Sequence, residues 1–127
     1  MLRILIVDDQ QFVRDTLRSF LSAQEPGWQL SEAANGNEAL ELLRNTTPDV
    51  VVLDIVMEGM NGVAAAREIR QIAPGTKIIF ISSHYTTGDA SVITRLMGAE
   101  AFIQKAETGR LLIPTIKRLL EGAGQPA

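Results

Sequence analysis

The strongest constraint on the fold is an apolar run, VVVL at residues 50–53, that ends in Asp54. A continuous run rich in β-branched residues is typical of a strand buried on both faces of a parallel sheet. At the carboxyl end of such a strand the connecting loops part and leave the crevice in which open α/β sheets bind ligands. We therefore expect Asp54 to lie at a ligand-binding edge of the sheet.

Length, composition and charge limit the class of protein. The 127 residues suffice for one domain, expected over residues 1–121, with 122–127 as a tail or truncated linker. Cysteine is absent, which excludes disulfides and thiolate chemistry. The first residues, MLRILIVDD, hold too few apolar residues for a signal peptide or a membrane span, so we expect a cytoplasmic protein. A net charge of −3 argues against direct contact with nucleic acid.

Strand-like and helical patterns alternate along the chain. Apolar segments predict strands at residues 2–7, 28–34, 50–53, 77–81 and 101–103. Helical periodicity predicts helices at 10–23, from 35 to before Pro48, at 61–72, after a turn at 86–89 up to 97, and at 108–121. Five such repeats with short connections predict a doubly wound α/β fold, a parallel sheet with helices on both faces.

Local patterns add details to the helices. Asn35 and Glu38 resemble a capping box, and Gly98 is expected as a left-handed cap. In the first helix the charged residues Arg14, Asp15 and Arg18 are expected to face water. The third helix is predicted to turn four residues inward: Val63, Ala66, Ile69 and Ile72. A proline lies beyond the first turn of the last helix, where it removes a hydrogen bond, so we expect a kink or a late start at Pro114.

Polar side chains follow four of the five predicted strands. Asp8 and Asp9 follow the first strand, Asp54 ends the third, Ser82 ends the fourth, and Lys105 comes just after the fifth. Each has an ordinary explanation, such as a helix cap, a turn former or a solvated cation. If the first, third, fourth and fifth strands are neighbours, however, all five residues emerge at one edge. That joint placement indicates a functional site.

These residues and their surroundings resemble the receiver domain of bacterial two-component response regulators. The matching motifs are the pair Asp8-Asp9, LDIVMEGMNG around Asp54, IIFISSH around Ser82 and GAEAFIQK ending at Lys105. The resemblance covers residues 2 to about 122 and implies a flavodoxin-like (βα)5 sheet of strand order 2-1-3-4-5. The segment APGTKIIFISSH, and a lysine that no proline follows, are similar to receivers of the helix-turn-helix (NarL/LuxR-like) class.

The resemblance implies a phosphoacceptor and a metal site. Asp54 would accept the phosphoryl group, and Asp9 and Asp54 would bind Mg²⁺ or Mn²⁺ directly. Asp8 would act largely through water, and the backbone carbonyl of Val56 would complete the protein ligands. Charge supports a bound cation, because two carboxylates about 4 Å apart repel by roughly 4 kcal/mol at an effective dielectric near 20. An all-oxygen ligand set suits Mg²⁺.

The remaining site residues are implied in the same way. Lys105 would neutralise charge on the phosphoryl group, while the Ser82 hydroxyl and the Ser83 backbone N–H would bind a phosphoryl oxygen. Phe102 would be a switch aromatic that remodels the face of the fourth helix, fifth strand and fifth helix, or else a simple core residue. His84 would line the site entrance, or else be a solvated loop residue.

The implied partners are those of a signalling protein. A sensor histidine kinase or a histidine phosphotransfer protein would supply the phosphoryl group, and an output domain or a downstream protein would read the switch. A homodimer on phosphorylation is also implied. The domain would catalyse only its own phosphorylation and dephosphorylation, with no separate enzymatic activity.

Two positions depart from the family pattern. Glu58 stands where a proline commonly follows Met57, so we expect a less rigid loop after Asp54 and an added carboxylate that perturbs the metal site. Ala106 replaces the proline that often follows the lysine. The family's cis bond before that proline would cost about 3 to 4 kcal/mol before alanine, so the isomer stays open.

Two other functions are alternatives for a chain of this pattern, and each lacks a feature that it needs. An aspartyl-phosphate phosphatase usually has a second acid two residues after the nucleophile, and Val56 stands there. A flavin-binding module of the same topology needs a loop that cradles phosphate after the first strand, where Asp8 and Asp9 would repel the ligand.

Overall fold

The structure is a computed structural model that describes residues 2–57, 61–85, 92, 94–95 and 98–124. The strands are β1 (Arg3–Val7), β2 (Gln29–Ala33), β3 (Val50–Asp54), β4 (Lys77–Ser82) and β5 (Ala101–Gln104). The helices are α1 (Gln11–Gln24), α2 (Gly36–Leu43), α3 (Gly62–Ile72) and a C-terminal helix (Thr108–Gly124), which follows a 3₁₀ turn at Lys105–Glu107. All paired strands are parallel and their order is β2-β1-β3-β4-β5, which confirms the predicted fold and strand order.

The strands bury alternate residues on opposite faces of the sheet, because successive side chains of a strand point to opposite sides. One face packs against α2 and α3; its strand residues are Leu5, Val7, Ala33, Val51, Leu53, Ile78 and Phe80. The other face packs against α1 and the C-terminal helix; its strand residues are Ile4, Ile6, Val50, Val52, Ile79, Ile81 and Ile103. All five residues of β3 are buried, as expected for the central strand of a sheet covered on both faces.

Strand register sets the height of the site. Val7 pairs with Leu53, Asp54 pairs with Ile81, and Ser82 pairs with Gln104. The residues that follow β1, β3, β4 and β5 therefore emerge at one level of the carboxyl edge. The neighbourhood that the polar strand ends predict is confirmed by this order.

Most local expectations for the helix ends are confirmed. Asn35 Oδ1 accepts a hydrogen bond from Glu38 N at 2.9 Å, and Glu38 Oε1 accepts one from Ala34 N at 3.0 Å. The return bond thus reaches one residue further back than in a strict capping box. Asn61 caps α3 by accepting from Ala64 N at 2.8 Å, and Gly98 has a φ of 73°.

Two local expectations are wrong, and of the two outcomes expected at Pro114, a kink or a late start, the late start is excluded. Ile72 is 53% exposed, because the buried stripe of α3 runs through Ala65, Ala66 and Ile69 to the capping residue Ala73. Arg14 does not face water, since its side chain is only 15% exposed. The C-terminal helix does not start late: it begins at Thr108 and runs through Pro114 to Gly124, three residues into the expected tail. Its continuation past Pro114 costs one backbone hydrogen bond, while neighbouring apolar residues hold the helix on the sheet.

Other expectations fall outside the described residues: the turn at 86–89, most of the fourth predicted helix, the effect of Glu58, and residues 125–127. Within the part of the chain that the structure describes, no helix is both long and apolar enough to cross a bilayer. The described backbone has no cis peptide bond, so the Lys105–Ala106 bond is trans.

Candidate functional site

Three carboxylates meet at the carboxyl edge of the sheet. Asp8 directly follows β1, Asp9 comes next, and Asp54 is the last residue of β3. One carboxylate oxygen from each lies within 4.8 Å of the others. Asp8 is fully buried and Asp54 is 2% exposed, whereas Asp9 is exposed to solvent. The sequence prediction that these acids converge is borne out by the structure.

Lys105 reaches into this group of acids from the turn after β5. Its Nζ atom lies 2.8 Å from Asp8 Oδ2 and 3.2 Å from Asp54 Oδ2. The amide oxygen of Gln10 lies 3.4 Å from the same nitrogen. One ammonium thus bridges two buried carboxylates, because β1, β3 and β5 end at the same edge with the lysine aimed across them.

The other oxygen of each buried acid is held by the backbone of its own loop. Asp8 Oδ1 accepts from Gln10 N at 2.9 Å, and Asp54 Oδ1 accepts from Val56 N at 3.2 Å. Each is a side-chain-to-backbone turn that a short acid forms two residues ahead of the donor. The backbone therefore orients both carboxylates so that their Oδ2 atoms face the lysine.

The charges in the site are only partly balanced. Burial raises the pKa of the Asp54 carboxyl, and the neighbouring charge of Asp8 raises it further, although Lys105 and the Val56 N–H act in the opposite direction. Burial alone lowers the pKa of the Lys105 ammonium, but its close ion pairs with Asp8 and Asp54 outweigh burial and raise it. The ion pairs thus favour the charged form of Lys105, whereas burial and the charge of Asp8 work against the ionisation of Asp54.

An open cleft of about 280 Å³ gives access to Asp54. It is lined by Asp9, Gln10, Asp54, Val56, Met57, Ser83, His84 and Lys105. The small exposed part of Asp54 thus faces a space bounded by an acid and an amine. His84 is an exposed loop residue that also lines this cleft, so both readings of that histidine describe it.

Ser82 and Ser83 occupy different positions relative to the cleft. Ser83 is exposed and lines it, whereas Ser82 is fully buried at the end of β4. The Ser82 hydroxyl oxygen accepts a hydrogen bond from His84 N at 3.0 Å, which is the turn-forming role that the sequence also allows. In this structure the hydroxyl therefore stabilises the loop after β4.

Phe102 lies on β5, opposite Phe80 of β4, and is half buried. It packs against the core on the α2 and α3 side, together with Tyr85. The backbone oxygen of Tyr85 accepts from Gln104 Nε2 at 3.3 Å, which ties the loop after β4 to β5. Phe102 thus packs at the border of the core in the conformation described, on the strand next to the one that carries Ser82.

Three supporting residues were missed by the sequence reasoning. Gln10 reaches Lys105, and Arg14 Nη1 donates to the backbone oxygen of Asp8 at 2.7 Å. Gly62 packs so closely beneath the site that an added Cβ would meet the Asp54 carbonyl oxygen and lie 2.7 Å from Ile55 Cα. A signal was available for Gly62, because a glycine directly after a helix-capping asparagine often marks a close backbone approach. No comparable signal marks Gln10 or Arg14.

The residues fit a divalent cation with oxygen ligands. The donors are carboxylates from Asp8, Asp9 and Asp54, and Mg²⁺ favours such ligands in a site that also leaves room for water. The buried Asp8 Oδ2 makes an ion pair with Lys105 without hydrogen-bond geometry, so its lone pairs are incompletely used. With three acids and one ammonium, the site gains charge balance from a doubly positive ion.

Comparisons with known proteins point to one family. The family model described as "Response regulator receiver domain" matches residues 4–117. The chain is 39% identical over 106 residues to the chemotaxis protein CheY of Thermotoga maritima, covering 81% of this chain and 84% of that protein. It is 32% identical over 124 residues to the transcriptional regulatory protein DegU of Brevibacillus brevis, covering 95% of this chain and 51% of that protein. The chain therefore spans about half the length of DegU.

Solved structures agree in fold over nearly the whole chain. A CheY-like receiver domain protein from Methanospirillum hungatei JF-1 superposes with a TM-score of 0.86 at 30% identity, covering 96% of this chain and 95% of that one. The response regulator TrrA of Thermotoga maritima, solved in complex with Mg(2+)-BeF, gives a TM-score of 0.79 at 33% identity, covering 94% and 99% of the two chains.

The fold and the acidic edge define a doubly wound domain with a lysine-bridged carboxylate site. The chain belongs to the response regulator receiver domain family, the receivers of two-component signalling. This confirms the function class predicted from the sequence. The two relatives described are response regulators, in contrast to the phosphatase that was weighed as the alternative.

Proposed function

We propose that Asp54 is the phosphoacceptor of this receiver and that Asp9 and Asp54, with the Val56 carbonyl, hold Mg²⁺ or Mn²⁺. Asp8 would act largely through water. The observation that carries this proposal is the Lys105 ammonium, 3.2 Å from Asp54 Oδ2, in a cleft that also holds Asp9. Lysine there can neutralise a phosphoryl group attached to Asp54 without moving from its place.

The reaction is a transfer between two side chains. An Asp54 carboxylate oxygen attacks phosphorus of a phosphohistidine on the partner, the phosphorus–nitrogen bond breaks, and the imidazole leaves with the electron pair. The Lys105 ammonium offsets the negative charge on the equatorial phosphoryl oxygens. The Val56 N–H keeps the other Asp54 carboxylate oxygen in place. The bound divalent ion supplies further charge neutralisation for the phosphoryl oxygens. This transfer needs no further catalytic group. The domain would catalyse only its own phosphorylation and the hydrolysis of its own aspartyl phosphate.

Phosphorylation would be read through β4 and β5. A phosphoryl oxygen on Asp54 offers the buried Ser82 hydroxyl and the Ser83 N–H a stronger acceptor than the loop provides. When Ser82 turns towards the phosphoryl group, its bond to His84 N is lost and the loop after β4 shifts. Phe102, packed beside that strand, would then rotate inward and alter the surface formed by β5 and its neighbouring helices.

The partners follow from this chemistry. The donor would be a sensor histidine kinase or a histidine phosphotransfer protein, which would meet this receiver in the cytoplasm. An output domain or a separate downstream protein would respond to the phosphorylated receiver. DegU is about twice as long as the matched segment, which is consistent with an output domain beyond the receiver. The net charge of −3 disfavours direct nucleic-acid contact by these residues. A homodimer on phosphorylation is the further expectation, and light scattering with and without beryllofluoride tests it: unchanged mass would contradict it.

Mass spectrometry after incubation with acetyl phosphate and Mg²⁺ tests the proposed phosphoacceptor. We expect one labile phosphoryl group on the wild-type chain, none on Asp54→Asn, and none when EDTA replaces Mg²⁺. Asp15→Asn, an exposed aspartate on α1, is the matched control and should be labelled like the wild type. Label on Asp54→Asn at the wild-type level would refute Asp54 as the acceptor.

A further inference from the structure

Arg14 connects three elements at the site's edge. From the first turns of α1 its Nη1 donates to the backbone oxygen of Asp8 at 2.7 Å, and its Nε lies 3.3 Å from Glu32 Oε1 on β2. Its side chain is 15% exposed, so the guanidinium makes these contacts largely shielded from water. The loop that carries Asp8 and Asp9 is thereby tied to the adjacent strand through one arginine.

Glu32 shares its two oxygens between two arginines, Arg14 and Arg18. Oε1 faces Arg14, and Oε2 lies 3.0 Å from Arg18 Nη1. The Arg18 side chain is 48% exposed, and the contact described for its guanidinium is the one with Glu32. The two arginines therefore have the same charge and the same carboxylate partner, but Arg14 alone of the pair is seen to hold the Asp8 carbonyl.

The hydrogen bond from Arg14 adds to two backbone contacts of this loop: Gln10 N donates to Asp8 Oδ1 at 2.9 Å, and Asp8 N donates to the Ala33 carbonyl at 3.2 Å. Gln10, the residue at the start of α1, makes no side-chain capping hydrogen bond. The Asp8 carbonyl lies beyond the last residue of β1. A charged donor at 2.7 Å is a strong hydrogen bond, and it fixes the peptide that joins Asp8 to Asp9. The direction in which the Asp9 side chain projects from the backbone depends on the orientation of that peptide.

We propose that Arg14, oriented by Glu32, is a positioning residue that presets the Asp8–Asp9 peptide for binding the divalent ion. The inference rests on the proposed function, since it assigns these acids to a metal. Groups that orient metal ligands typically change metal affinity about 10- to 100-fold when removed. Arg14 acts through the backbone of the acids and touches neither ion nor phosphoryl group, so its loss should weaken ion binding and leave the chemical step intact.

Calorimetric titration with Mg²⁺ alone tests this on the whole chain. We expect Arg14→Gln to raise the Mg²⁺ dissociation constant about tenfold. The matched control Arg18→Gln changes net charge equally and should stay within about twofold of wild type, as for an exposed ion pair. At saturating Mg²⁺, phosphorylation of Arg14→Gln by acetyl phosphate should return to within about twofold of the wild-type rate. An unfolded variant would not combine weakened Mg²⁺ binding with a normal rate at saturation. Arg14→Lys and Arg18→Lys repeat the comparison with charge retained, and decide the matter if Arg14→Gln does not fold.

Two results overturn the inference in distinguishable ways. If wild type binds Mg²⁺ saturably and the Arg14 variants bind it equally well, or the Arg18 variants weaken to the same extent, Arg14 is not a positioning residue and the proposed function stands. If wild type shows no saturable Mg²⁺ binding and no phosphorylation, the proposed function fails and the inference fails with it.

Discussion

At the carboxyl edge of the sheet, among the described residues, three carboxylates lie close together and two of them share the Lys105 ammonium, whereas at the amino edge Arg70 and Glu100 pair one to one. Arg70 Nη2 donates to both Glu100 oxygens, at 2.8 and 2.9 Å, and to the Gly98 carbonyl at 2.8 Å. Glu100 Oε2 also accepts from Ile78 N at 2.6 Å. Arg70 and Glu100 thus form a network at the amino edge in which both charges have hydrogen-bond partners.

The two edges use charge differently: the amino edge uses it to hold the structure together, and the carboxyl edge uses it for function. A fully satisfied ion pair joins α3, β4 and the residues before β5, and needs nothing from solution. The acidic edge is left short of positive charge, as the raised pKa of Asp54 from burial and from Asp8 indicates. A site that must accept a cation and a phosphoryl group has to hold unbalanced charge in advance, and its stability suffers for it.

Removing Lys105 should have the largest effect. Without metal, Lys105→Met leaves Asp8 and Asp54 buried with no ammonium, and we expect a loss of about 4 kcal/mol in the free energy of unfolding. Saturating Mg²⁺ should restore part of it, because the ion replaces the missing charge. Urea unfolding in EDTA and in Mg²⁺ measures both. An equal loss in the two buffers would contradict the idea that the edge lacks positive charge.

Glycine substitutions at the start of α3 and in the turn that follows it should change stability in opposite directions. Gly62→Ala places a Cβ against the Asp54 and Ile55 backbone, which cannot yield cheaply, so we expect a loss of about 3 kcal/mol. Gly75, at the amino edge, has open space around it, and Gly75→Ala should stabilise by about 0.5 kcal/mol. Thermal unfolding of the two variants provides the test. An equal change in the stability of both variants would show that the start of α3 is not closely packed against the Asp54 and Ile55 backbone.

Breaking the amino-edge pair should be milder and independent of metal. Arg70→Met leaves Glu100 without its guanidinium, although both side chains are partly exposed, and we expect a loss of about 2 kcal/mol. The exposed Arg67 on the same helix is the control, and Arg67→Met should stay within about 0.5 kcal/mol of wild type. If Mg²⁺ rescues Arg70→Met, the two edges are not independent.

The smallest effect is a pH dependence in EDTA. The pKa of Asp54 in the folded chain is raised above its ordinary value of 3.8, mainly by burial. At a pH between the ordinary pKa and the raised pKa, the folded chain therefore binds more protons than the unfolded chain. Stability contributed by this group therefore falls as pH rises through that window. Relative to wild type, Asp54→Asn should become more stable as pH increases from 4 towards neutral. Denaturant midpoints of the two chains across pH test the sign, and a constant difference would contradict it.

Sequence patterns located the acidic edge because they report on strand ends. Asp54 follows a buried run and Lys105 follows a short strand, so parallel neighbours must bring them together once the order is known. The same patterns misplaced Arg14 and Ile72. Helical spacing predicts that a charged residue faces water. It could not show that Glu32, on strand β2, draws the Arg14 side chain inward. Ile72 was assigned inward by periodicity, yet Ala73 fills that position as α3 ends.

By itself, the sequence determined the alternation of strands and helices, the buried central strand and the chemical types at each strand end, because apolar periodicity and turn residues act locally. Only the tertiary structure decided which oxygens face Lys105, that Ser82 bonds His84 while Ser83 lines the cleft, and that Arg14 holds the Asp8 carbonyl. Those features depend on register and on distances between segments far apart in the chain, and no local pattern encodes either.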